Sequence, residues 1–69
     1  MRHLFRQRLR KSVIVTMHDG MAFAGILYDV DPEVVVLRNS ASVGDHGERV
    51  PVDGEVLLQR SEIAFYQIP

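Results

Sequence analysis

The dipeptide Asp19-Gly20 stands between two apolar runs and constrains the fold more than any other feature. Both residue types accept positive φ, so Asp-Gly in this setting marks a β-hairpin. Before it, Val13, Val15 and Met17 alternate with Ile14, Thr16 and His18, which is the period of a strand. After it, Met21 to Val30 forms a second strand, with Gly25 in its middle. Glycine inside a strand marks a sharp bend or a close backbone approach. A strongly bent antiparallel sheet is therefore expected.

The chain continues in the same idiom. Asp31-Pro32-Glu33 is a turn, since proline fixes φ and cannot donate to a ladder. Val34 to Leu37 is a third strand. Residues 39–53 hold Ser40, Ser42, Gly44, Asp45 and Gly47, the composition of a loop, with Arg49, Val50 and Val52 able to extend a strand into it. Val56, Leu57 and Leu58 form a fourth strand, and Ser61-Glu62 breaks it. Ile63 to Ile68 forms a fifth, in which Ile63 and Phe65 are expected on one face and Tyr66 and Ile68 on the other. A sheet with one wet face alternates cleanly with polar residues. These last two strands are apolar on both faces, so Val56, Leu57, Leu58, Ile63, Phe65, Tyr66 and Ile68 are expected at an interface with another copy.

Residues 2–11 are expected to form a helix. Met1, Leu4, Phe5 and Leu9 share one arc, Arg2, Arg6 and Arg10 flank it, and Arg8 falls inside it. The simplest role is a short amphipathic helix closing one end of the core; a cationic stripe facing phosphates is compatible with that. The fold class is then mostly β, an N-terminal α-helix followed by a small barrel of five strands.

Bulk properties point to assembly. A chain of 69 residues buries only about 60% of its unfolded surface, so its core is marginal alone. Small folds need a staple, and the sequence has no cysteine. His3, His18 and His46 lack metal-ligand spacing, so no metal or cofactor is expected. Oligomerisation is the remaining staple. No apolar run approaches a membrane span and no signal peptide is expected; the lack of cysteine fits a reducing, cytoplasmic setting. Charge is asymmetric: residues 1–11 carry +5 and the remainder −6.

Val13, Val15, Met17, Gly20, Phe23, Gly25, Leu27, Val30 and Asp31 stand in the order and spacing of the first motif of Sm-like proteins, the LSm/Hfq superfamily. Residues 56–69 resemble the second motif, with apolar residues, a turn, then Ile63, Phe65 and a final proline. The resemblance implies a single domain over 1–69: a helix over 1–12, the first motif over 13–39, a variable loop over 40–53 and the second motif over 54–69. It implies a strongly bent, five-stranded, SH3-like barrel. It also implies a ring of six or seven subunits in which the fourth strand of one pairs with the fifth of the next. Exposed strand edges invite such pairing, and a closed ring leaves none open.

The resemblance further implies single-stranded RNA binding, through the pore or through the helix-bearing rim. Asp31, Gln59 and Arg60 are the candidates at the pore, and Arg2, Arg6 and Arg10 at the rim. RNA-binding members carry an asparagine shortly after the motif aspartate, where this chain has Pro32-Glu33-Val34-Val35-Val36. They also carry arginine-glycine between the last two strands, where this chain has Gln59-Arg60. The alternative is a ring or barrel scaffold for protein–protein contact without RNA. No enzyme is expected, because no triad motif and no phosphate-cradling glycine loop is present.

Overall fold

Strand alternation decides which side chains reach the interior, and the computed structural model, which describes residues 9–69, follows it closely. Among the described residues six strands run in order: β1 (Ser12–Met17), β2 (Ala22–Val30), β3 (Val34–Val43), β4 (Arg49–Val52), β5 (Val56–Gln59) and β6 (Ile63–Gln67). A single 3-10 turn, Arg60–Glu62, links the last two. All pairings are antiparallel. The order across the sheet is β4-β3-β2-β1-β6, with β5 also paired to β3. Val13, Val15, Leu27, Val35, Leu37, Leu58 and Ile63 form the buried core.

The expected hairpin is present. Met17 N–H donates to the Met21 carbonyl at 2.7 Å and Gly20 N–H to the Met17 carbonyl at 3.0 Å. Gly20 has φ +93°, which closes a three-residue loop with a left-handed residue. The expected bend at Gly25 is also present. Ala24 pairs with Ala41 and Ile26 with Arg38, so Gly25 alone opposes Asn39 and Ser40. Such a bulge bends the strand and increases its twist. A Cβ on Gly25 would lie 2.8 Å from that of Ser40, so only glycine fits without displacement. Asn39 takes φ +49°, turning β3 from its β5 partner to its β4 partner.

Two expectations about fold class are corrected. Among the described residues there is no α-helix. Most of the helix expected over 2–11 lies outside the described residues, but its end does not. Leu9 and Arg10 are turn and Lys11 a bend, and Arg10 has φ +68°, which a right-handed helix cannot contain. The backbone here is engaged elsewhere: Arg10 N–H donates to the Leu27 carbonyl at 2.6 Å, and Leu27 N–H to the Lys11 carbonyl at 2.9 Å. At Arg10 and Lys11 the bonds to β2 override the helical periodicity. The strand count is the second correction. Residues 39–53, expected as mostly loop, hold the far half of β3, a tight tip and β4, giving six strands rather than five.

The faces of β6 also differ from expectation. Thr16 pairs with Phe65 but Met17 with Ile63, leaving Ala64 as an extra residue. One extra residue reverses the facing of everything beyond it. Ile63 and Tyr66 therefore lie on the core side, and Phe65 is turned outward and 51% exposed.

Candidate functional site

Two turns distant in sequence meet at one end of the sheet. The first is Asp31-Pro32-Glu33, between β2 and β3. Asp31 folds it by accepting, on Oδ1, the N–H of Glu33 at 2.8 Å and of Val34 at 2.7 Å. Its own N–H donates to the Val34 carbonyl at 2.9 Å. The second is the 3-10 turn Arg60–Glu62. Arg60 N–H donates to the Glu33 carbonyl at 2.8 Å, and its Nη1 donates to the Asp31 carbonyl at 2.9 Å. Arg60 thus clamps both turns with backbone and side chain.

The electrostatics follow from this clamp. The N–H groups of Glu33 and Val34, with a smaller contribution from the Arg60 charge, hold the Asp31 carboxyl below its ordinary range. Half-burial pushes the Tyr66 phenol up, and hydrogen bonding and charge from Arg60 oppose that rise. Arg60 is thereby held by groups from the turn between β2 and β3 and from β6. A guanidinium is planar, so one held in place can present a face for stacking. Around it stand three carboxylates, those of Asp31, Glu33 and Glu62, all exposed.

The structure brings Asp31, Gln59 and Arg60 together, Gln59 pairing with Val34 in the ladder. It does not bring Arg10 to them; Arg10 lies over the ring of Tyr28. Arg2 and Arg6 are outside the described residues. The contact that Glu33 makes with Arg60 is not legible from its residue type, because it is made by a backbone carbonyl. Val35, a few residues beyond Asp31, is fully buried in the core and offers no polar group to a base.

The expected interface residues divide by burial. Leu58 and Ile63 belong to the subunit's own core. Leu57, Phe65 and Ile68 are 65%, 51% and 45% exposed. Val56 and Tyr66 are partly buried against the core. Among the described residues β5 pairs only with β3, and β6 only with β1. Each therefore keeps one open edge, at opposite ends of the same sheet. No cluster of metal-ligating side chains occurs among the described residues, and no helix among them is long and apolar enough to cross a membrane.

No protein-family model matches the chain, and no curated protein matches it. Solved structures do. A heptameric archaeal Sm protein superposes at TM-score 0.86 with 19% identity, covering 97% of each chain. The SmAP1 heptamer of P. aerophilum superposes at 0.89 with 18% identity, covering 100% of this chain and 92% of its own. A Pyrococcus abyssii Sm protein, solved in complex with a uridine heptamer, superposes at 0.86 with 25% identity, covering 97% and 94%. A bent six-stranded antiparallel sheet, matched along nearly its whole length at these scores, gives this chain the Sm-like fold.

Proposed function

We propose that copies of this chain join head to tail into a closed ring, and that the ring binds single-stranded RNA at the turns clamped by Arg60. The ring rests on one observation above all: two open strand edges on one sheet, each beside a large exposed apolar side chain. Leu57 on β5 and Phe65 on β6 are that pair. Pairing β5 of one subunit with β6 of the next is a heterologous contact, and such contacts close into rings when the rotation allows. Each junction satisfies backbone groups and buries apolar surface at once. Two of the similar structures are heptamers, which supports seven subunits.

The RNA reading draws on the fixed Arg60 and on the uridine complex of the Pyrococcus abyssii protein. Single-strand binders stack bases on aromatic rings and guanidinium planes. Arg60 supplies such a plane once per subunit. The role is binding, without a chemical step.

A second reading, a protein-binding scaffold without RNA, is favoured by the local charge. Asp31, Glu33 and Glu62 outnumber Arg60, and repeated around a ring they repel phosphate. Titrating short oligo-U and oligo-A at low and moderate salt separates the two. Binding at low salt that Arg60→Ala abolishes supports the RNA ring. No binding at low salt by an intact ring leaves the scaffold.

A further inference from the structure

A second polar cluster lies on β2 and β3, away from the clamped turns. Tyr28 is the extra residue of a second bulge on β2, where Leu27 pairs with Leu37 but Asp29 with Val36. The guanidinium carbon of Arg38 is 3.5 Å from the centroid of the Tyr28 ring, and that of Arg10 is 4.3 Å from it. Arg38 also donates to Oε2 of Glu55, from Nε at 2.7 Å and from Nη2 at 2.6 Å. Both bonds end on one oxygen, and among the described residues Oε1 accepts none. Arg38, Asn39, Gly54 and Glu55 line an open hollow beside this pair. Asn39 is exposed there, at the left-handed corner of β3.

A packing role alone accounts for one arginine over a tyrosine. It does not account for a second arginine on the same ring, nor for an amide residue and a carboxylate lining one hollow beside it. We propose that this cluster is a nucleotide site distinct from the turns, with a guanine base against Arg38 and its phosphate on Arg10. Tyr28 covers one face of the Arg38 guanidinium, and the side chain is still 47% exposed, so the other face is available for stacking. A carboxylate oxygen only accepts, so it selects a base edge that donates. Guanine presents two adjacent N–H donors on its Watson–Crick edge; uracil presents one. The Asn39 amide supplies a donor for the guanine carbonyl. Arg10, the neighbouring cation on the same ring, meets the phosphate. Tyr28 and Asp31 are three residues apart on an extended strand, about 10 Å, so the site is separable from Arg60.

The test is an NMR titration of the full chain with guanosine 5′-monophosphate and, separately, uridine 5′-monophosphate. Shifts at the Asn39 and Gly54 amides are expected, with guanosine monophosphate bound about tenfold tighter than uridine monophosphate. Arg38→Lys keeps the charge but removes the plane, and is expected to weaken the guanine nucleotide about tenfold. Glu55→Gln is expected to erase the preference between nucleotides, and it serves alone should Arg38→Lys fail to fold. Shifts confined to Glu33 and Arg60, equal affinity for the two nucleotides, or a preference that survives Glu55→Gln would overturn the proposal.

Discussion

The inner strands and the edge strands of this sheet have similar apolar content and opposite fates. Val13 and Val15 on β1, Leu27 on β2, and Val35 and Leu37 on β3 are buried at 1% exposure or less. Those strands have backbone partners on both sides. On β5 and β6, Leu58 and Ile63 are buried, but Leu57 and Phe65 face outward and one backbone edge is open. Hydrophobic content therefore divides between two tasks. The inner set folds the subunit, and the outer set is available to join subunits.

That division can be broken at either end. Leu37→Ala removes a fully buried side chain next to the β5 contact and is expected to cost about 2–5 kcal/mol in denaturant unfolding. A loss below about 1 kcal/mol would mean that the inner strands do not carry the fold. Gly25→Val forces a side chain against Ser40 at the bulge and is expected to cost about 1–3 kcal/mol. An unchanged midpoint would show that the bend can move elsewhere.

Phe65→Asp sharpens the contrast from the other side. Its side chain is outside the core, so the isolated subunit is expected to lose no more than about 0.5 kcal/mol. Assembly is expected to fail, because a charge on the joining edge must be buried unpaired. Circular dichroism and gel filtration on the same sample read both effects.

The smallest expected effect is electrostatic. The folded Asp31 carboxyl is held below its ordinary value of 3.8, so its contribution to stability is fully present above that value. It is lost as pH falls through the lower folded value. Asp31→Asn is expected to flatten that part of the pH profile and leave the region above pH 6, roughly, with the same slope. An identical acid limb in both proteins would show that the turn does not depend on the carboxylate.

Much of the fold is legible in the sequence where the signal is local. Asp19-Gly20 encodes its hairpin, Asp31-Pro32-Glu33 its turn, and the alternation of Val13 and Val15 their burial. What is not legible depends on partners far along the chain. Asn39 to Ser42 reads as a loop because its residues are mostly polar, yet Ala22 to Ala24 on one side and Val50 to Val52 on the other hold much of it in strand. Leu9 to Lys11 continues a helical pattern on paper, but Leu27 takes both of its backbone bonds. The Ala64 bulge is set by the β1 register and leaves no composition signal. At the candidate site, motif position identifies Asp31 and Arg60. It does not identify the Glu33 carbonyl or the Arg38–Glu55 pair, whose members are 17 residues apart.

The most direct test of the central claim is the mass in solution, by light scattering at micromolar concentration. The account predicts a species several times the 7.8 kDa subunit, with seven copies supported by the similar heptamers. It predicts that Leu57→Asp combined with Phe65→Asp reduces this to a folded single subunit. A wild-type protein that is folded and has the mass of one subunit would contradict it.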